Sequence, residues 1–447
     1  MNLTLQRLQH NFFHGQPIEF DEHNLLNKSL PERINELYPT AKKQIYCNIV
    51  KSHVVLNIEY SLLGQQIRTN LLRPGAAILA DQLFETQKIV EQLTSAILFA
   101  ELLEEVYLHY LDVPREVKRL RAQQILYRKI LKHLCPELPE PVEKEKVNVG
   151  ISFTQEVRIR TININLYRLL FVRSKRLLDL LAALNGSTTW YRNIIAHLDK
   201  HIDPFLPHLA CFFYVPRLTV NLLLLMKHII PWSWMSKHER EMGFVVRLRG
   251  QLLRRWFEIG NDLAWVIVGA LNSYVLTGAS VPFAIFIAFF GFDVVMAVGR
   301  AYIELNRLYQ LRKEHKQMVT VENKEDANQL IDLLDDQIKF ETLRFGSHVM
   351  TTSLIFLAMC TSAPRFAANL MIPLGGAACL VLICFINFAL VPILQHYRPQ
   401  DIVPVPKEGI TKLPFFAKKK APVESNSEPF DVENREDNPS SRTCCLF

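Results

Sequence analysis

Glycine is scarce in this sequence: 16 among 447 residues, and none of them forms a Gly-rich phosphate-binding loop. G-x-S-x-G, DFG-like and paired Cys/His signatures are missing too, so the common hydrolase, kinase and zinc-finger classes have no sequence support and no catalytic residue is nominated. The eight cysteines (47, 135, 211, 360, 379, 384, 444 and 445) include no C-x-x-C pair and no metal-ligand spacing. Three of them lie in apolar runs and read as reduced small hydrophobes, consistent with the cytosol. A dense Lys/Arg stripe with interleaved aromatics is absent and the net charge of +7 is spread out. That argues against a nucleic-acid partner and suits a chain lying on anionic lipid. Residues 1–16 lack the long apolar h-region and the small-residue cleavage site of a secretory signal, so membrane insertion is expected to use internal segments.

What the chain has instead is long apolar runs, with 49% hydrophobic residues overall. From Leu263 to Val298 the only charge is Asp293, and Thr277-Gly278-Ala279-Ser280-Val281-Pro282 divides the run in two. The pattern recurs from Ser347 to Leu394, where one piece ends near Ala363-Pro364-Arg365 and the next starts at Leu370. Residues 263–298 and 347–394 are therefore expected to be two membrane hairpins. Each shorter piece, about 17 residues, reaches roughly 26 Å as a helix, the low end of what spans a thin endoplasmic-reticulum-like bilayer.

The flanks suggest an orientation. Lys237, Arg240, Arg247, Arg249, Arg254 and Arg255 precede the first hairpin, and Arg300, Arg307, Arg312, Lys313 and Lys316 follow it, whereas the opposite turns hold only Arg365. The positive-inside bias then puts the N-terminal region, the connector 299–346 and the tail 395–447, expected to be disordered, on the cytosolic face. Segment 201–262 is more ambiguous. Phe205 to Ile230 is apolar but is cut by Pro207, Pro216, Arg217 and Lys227, and ends at Pro231-Trp232-Ser233-Trp234. It reads as an in-plane or re-entrant element; were it to cross, the triplets at Asn2, Asn27 and Asn185 would become glycan acceptors. Ser236 to Gly260 places Phe244, Val245, Leu248, Leu252, Trp256 and Ile259 near one face among arginines, as a helix on lipid or one packed on a neighbour would.

Residues 1–200 read as a separate, mostly helical cytosolic domain. Leu79, Leu83, Thr86, Val90, Leu93, Ile97 and Ala100 keep a 3-4 spacing within a helix from Ala76 to Leu111, stopped by Pro114. The stripe suits internal packing or coiled-coil contact with another protein. Further helices are expected at Arg115–Leu134 and Leu166–Leu184, with a polar linker from Pro136 to Lys146. Alternation at Val54, Leu56, Ile58 and Tyr60, and at Val157 and Ile159, leaves room for a small β element in an otherwise all-α fold. Ala301–Gln317 and Lys324–Phe345 are expected to pair as an antiparallel stalk, with Leu330, Leu334, Ile338, Glu341 and Phe345 along an imperfect seam.

Chemistry-bearing residues are few. His197 and His201 sit one helical turn apart, but Leu198 stands where H-E-x-x-H needs its base, so no metal is expected; His10 and His14 repeat the spacing with no third ligand. Asp293 is the outstanding ionisable residue, since a carboxylate in an apolar span needs a partner or water. Asn272, His348 and Asn387 are expected to hydrogen-bond it, with Gly375, Gly376, Ala377, Ala378 and Cys379 letting helices approach. The last four residues, Cys444-Cys445-Leu446-Phe447, read as a C-a-a-X box with Cys444 as lipid acceptor, and Phe447 leans toward a geranylgeranyl-type prenyltransferase as partner. Lys418, Lys419 and Lys420 lie upstream of it, and the tether is expected to keep Leu413-Pro414-Phe415-Phe416 near the membrane.

Asp203-Pro204, Val215-Pro216-Arg217-Leu218, Arg254-Arg255-Trp256-Phe257-Glu258-Ile259-Gly260-Asn261-Asp262 and Phe292-Asp293-Val294-Val295 together resemble membrane proteins of intravacuolar bacteria of the Legionella and Coxiella type. The terminal box resembles those of their secreted effectors that host enzymes prenylate. The resemblance covers about a quarter of the chain plus its tip and its motifs carry no known chemistry. It implies residence on a host or vacuolar membrane. The sequence thus leads to a multi-pass protein with membrane lipids and an unknown host protein as partners and no cofactor, displaying a cytosolic domain. Reticulon-like membrane shaping and transport are the alternatives.

Overall fold

The computed structural model describes residues 3–13, 30–73, 82–136, 153–184, 189–202, 206–233, 235, 237–271, 283–319, 324–366, 368–404, 410 and 413–416. Its helices are α1 (Leu3–Phe12), α2 (Leu30–Leu37), α3 (Lys42–Leu72), α4 (Gln82–Glu105), α5 (Pro114–Leu134), α6 (Phe153–Leu184), α7 (Thr189–Ile202), α8 (Leu206–Ile229), α9 (Lys237–Glu241), α10 (Phe244–Ala270), α11 (Phe283–Gln317), α12 (Lys324–Cys360) and α13 (Met371–His396). No strand occurs among the described residues. The fold is all-α, and both stretches read as leaving room for a β element are helical: Val54–Tyr60 lies inside α3, Val157 and Ile159 inside α6. The alternation misleads in α3 because neighbours cover that helix on almost every side, so buried positions recur at any spacing.

Helices α1 to α5 form the N-terminal domain. Tyr46, Ile49, Val50, Tyr60 and Leu63 of α3 share one core with Val90, Leu93, Ile97 and Ala100 of α4 and Leu120, Tyr127 and Ile130 of α5. Each such side chain contributes about 1.5–3 kcal/mol by leaving water. The described part of the α4 stripe is thus consumed inside the domain, which leaves none of it for a coiled coil with another chain. α4 runs into a π turn, Val106–Tyr110, where the Leu111 N–H reaches back five residues to the Val106 carbonyl at 3.0 Å. Asp112 then takes φ 48°, a left-handed conformation that aspartate tolerates, and Pro114 opens α5 where a missing N–H costs nothing.

The remaining long helices build a bundle. α8 packs on α10, α10 on α11, α11 on α12, α12 on α13, α13 on α6, and α6 on α8, closing a ring of six. Among the described residues, Ala284–Gln317, Lys324–Cys360 and Met371–His396 are long and apolar enough to cross a membrane. Charged connector and apolar span are one continuous helix in both α11 and α12, so the second hairpin is α12 and α13 joined at 361–370. The first pairs the end of α10 with α11; its tip, with Asn272, falls outside the described residues. α6, read with the 1–200 domain from sequence, packs on α8 and α13, and its Arg173 and Arg176 reach Cys384 of α13 and Ser362 just after α12. α8 is a single helix with Pro216 inside it.

The domain is mounted on one end of the bundle. Leu62 of α3 joins a second core with Leu308 and Leu311 of α11 and Ala327, Leu330, Leu334 and Ile338 of α12. The stretch after α13 also returns to the domain, where Val403, Leu413 and Phe415 are buried in the main core. Arg119 of α5 holds Asp401 at 3.0 Å, and the Asp401 carbonyl would lie 2.9 Å from a Cβ added at Gly64. The tail expected to be disordered from 395 therefore begins as part of the core, because its few large apolar residues bury more favourably than they hydrate. Lys418, Lys419, Lys420 and Cys444 lie outside the described residues.

Candidate functional site

Three apolar helices account for only half the ring, and the polar groups that matter sit where the other half meets them. Arg217 and Asn221 are four residues apart on α8, hence on one helical face. Both reach Asp262 of α10: Arg217 Nε lies 3.0 Å from Oδ1, and Asn221 Nδ2 donates to Oδ2 at 3.1 Å. Asp262 is completely buried, Arg217 and Asn221 nearly so. A carboxylate removed from water this thoroughly is tolerable only with a cation and a donor beside it.

One turn along, the phenol of Tyr214 accepts from Asn165 Nδ2 of α6 at 3.2 Å, and Asn165 accepts from Arg168 Nε at 3.0 Å. The Tyr214 ring stacks on Trp265 of α10 with centroids 5.9 Å apart. Trp265 in turn donates its indole N–H to Asp293 of α11, with Phe290 edge-on at 5.6 Å. Side chains from α6, α8, α10 and α11 thus form a continuous layer of polar and aromatic contacts across the ring.

Asp293 does find a partner inside the bundle, but from α10. Its described partner is Trp265; His348 on α12 instead meets the Phe257 ring at 6.5 Å, and half-buried Asn387 sits on α13. About two turns further along α11, the Arg300 guanidinium lies over Phe257 at 4.5 Å and Phe345 at 5.8 Å. On the far side of the ring Arg173 of α6 donates to Cys384 Sγ of α13 at 3.0 Å, and Arg176 to Ser362 at the end of α12.

The four arginines at 247–255 divide by environment. Arg247 is buried and donates to the Ile229 carbonyl at 3.3 Å, holding the end of α8, and Arg254 points at the Leu111 carbonyl at 3.5 Å beside Gln251 at 3.3 Å. Gly250 between them lets α10 meet Val50, since a Cβ there would fall 3.1 Å from Val50 Cγ1. Arg249 is exposed and Arg255 half-buried. The basic half of α10 is consequently a docking face for the N-terminal domain, while Phe244, Val245 and Leu252 on its other side are exposed. His197 and His201 are exposed on α7 with rings 4.2 Å apart.

A second polar cluster ties domain to bundle. Arg7 of α1 pairs with buried Glu59 of α3 and reaches Glu314 of α11 at 2.8 Å, and His315 Nε2 lies 3.4 Å from Glu59. Burial alone would lower the Arg7 pKa, but the two carboxylates outweigh it and hold the guanidinium above its ordinary range.

The sequence reading missed Asn165, Arg168, Tyr214, Arg217, Asn221, Asp262 and Trp265. The i, i+4 pair Arg217/Asn221 in an apolar run was the available signal. The groups assembled are those of structural bonding and ion pairing, not a nucleophile set against a base. Searches of protein-family models, curated proteins and solved structures found nothing that matches this chain.

Proposed function

We propose that the protein is a multi-pass membrane anchor that holds a helical domain in fixed orientation at one membrane face, for recognition by a protein or lipid partner. The observation that supports it most is the mounting itself. The domain shares a core with the charged ends of α11 and α12, a buried Arg7–Glu59 pair that reaches Glu314 of α11, and a third contact through Phe415. A domain tethered only for proximity needs none of these. Reticulon-like shaping is less well supported, because its wedges are short independent hairpins, whereas the apolar spans here continue into helices of 35 and 37 residues. The proposal includes a host endomembrane as the site and Cys444 as a prenylation site; both rest on sequence alone.

Alkaline carbonate extraction of membranes from an expressing eukaryotic cell tests the anchor. Retention in the pellet is the expected result, and release into the supernatant overturns it. Proximity labelling from the N-terminus, compared between the wild type and Cys444→Ser, then identifies neighbours of the displayed domain and reports whether the lipid selects them.

A further inference from the structure

Resting on that anchor reading, we infer that α6, α8 and the C-terminal half of α10 are embedded in lipid beside the three apolar spans. The embedded unit then has six segments, and α7 stands on the face opposite the N-terminal domain.

The first observation is inverted polarity. On α6 the outward stripe is Ile164, Tyr167, Phe171 and Leu178, all exposed at helical spacing, while Lys175 on the same helix is only 7% exposed. On α8, Val215, Leu222, Leu223 and Met226 are exposed, while Arg217 and Asn221 are buried; on α10, Leu263 and Ile267 are exposed beside a buried Asp262. A helix in water does the reverse. Outward apolar and inward charged groups suit hydrocarbon surroundings, where polar side chains face the bundle and one another.

The second observation is height. Tyr167 lies 6.1 Å from Phe388 near the domain end of α13, Arg173 reaches Cys384 in its middle, and Arg176 reaches Ser362 at the far end of α12. Tyr214 stacks on Trp265, which bonds Asp293 inside the apolar part of α11. α6 and α8 therefore run alongside the spans, and their exposed residues continue the belt made by Val295, Leu357, Leu382 and Phe385. From Tyr167 to Leu184 α6 covers about 27 Å, enough for a thin bilayer.

The third observation is parity. With six passes, everything before α6, between α8 and α10, between α11 and α12, and after α13 belongs to one face. The packing agrees: Met242, Val403 and Phe415 share the domain core, Lys227 of α8 pairs with Asp112 at 2.5 Å, and Met318 and Val319 pack on the second core. Hydropathy alone misses α6 because it averages the inward charges with the outward apolar stripe, whereas α8 lies in an apolar run interrupted only by Pro207, Pro216, Arg217 and Lys227. The occupant of the belt is acyl chain.

The test uses the full chain in intact microsomes with a membrane-impermeant maleimide and a peptide-resolved readout, so that native cysteines do not interfere. Lys43→Cys on the domain and Lys200→Cys on α7, both exposed, are expected to react from opposite sides, one in intact vesicles and the other only after detergent. A benzophenone amino acid at Phe171 or Leu222 is expected to yield lipid adducts. Labelling of both cysteines from the same side, or capture at Phe171 of a second copy or another protein in place of lipid, overturns the inference. If the chain stays in the carbonate pellet while Lys43→Cys and Lys200→Cys share a side, the six-segment arrangement fails and the anchor stands; release by carbonate removes both.

Discussion

The N-terminal domain and the six-helix ring are built from the same helical elements with opposite radial order. In the domain Tyr46, Phe99 and Tyr127 fill the centre and ion pairs such as Arg119–Glu116 at 2.8 Å sit around them. In the ring a buried Arg217–Asp262 pair lies inside and Leu223, Val295 and Leu382 lie outside. Helix propensity does not distinguish the two; the medium does. Water rewards apolar burial, whereas lipid gives apolar groups no reason to hide and leaves polar contacts and close packing to hold helices together.

The largest effect is expected from breaking the ring's polar centre. Arg217→Leu leaves Asp262 buried without its cation and should cost about 3–5 kcal/mol. Thermal unfolding in detergent measures it, and adding Asp262→Leu should restore most of the loss. Nearly equal stability of the single and double variants would show that the pair does not hold α8 to α10.

The domain should show an acid weakness of its own. Burial, with Arg254 and Arg307 nearby, pushes His53 down to about 4 despite the Val50 carbonyl that accepts from its ring at 2.7 Å. Because the folded value lies below the ordinary 6.5, the unfolded chain takes up the proton first. Stability is full above about pH 6.5 and drains away as the pH falls toward 4, by up to about 3 kcal/mol. Denaturant melts at pH 7 and pH 4.5 should show this slope, and His53→Phe should flatten it.

A smaller effect separates two adjacent glycines on α13. A Cβ at Gly376 would meet the Ala358 carbonyl of α12 at 2.8 Å and the Thr361 hydroxyl closer still, whereas Gly375 has nothing within 4 Å. Gly376→Ala should cost about 1–3 kcal/mol as overpacking, and Gly375→Ala less than about 0.5. Equal melting temperatures for the two would show that α12 and α13 do not approach there. The smallest effect sharpens the contrast at the surface: Ile125→Ser on exposed α5 should stay within about 0.5 kcal/mol in aqueous denaturation. Leu222→Ser, also outward on α8, should lower recovery in the membrane pellet.

What was legible in the sequence follows from the same contrast. The spans in α11, α12 and α13 could be read because almost no charge interrupts them, and Pro364 with Arg365 marked the turn between the last two. Gly376 was legible as a close approach. The contribution of α6 was not, since Arg173 and Arg176 count against a span until their neighbours are known, and α8 was legible as an apolar element whose Pro216 and Arg217 left its course open. Asp293 was found but its partner was not, because Trp265 is an ordinary aromatic until the fold turns its indole N–H inward. Phe415 was misplaced for a similar reason: one aromatic in a polar tail carries no periodic signal.

The burial of Phe415 among residues from α3 to α5 also sets an order of events during synthesis. A ribosome releases the N-terminal domain long before it reaches Val403, Leu413 and Phe415, so the nascent domain waits with part of its core unfilled. Only a chain translated through α13 and the stretch after it can supply the missing pieces, and completion of the domain thereby reports that α13 has been made.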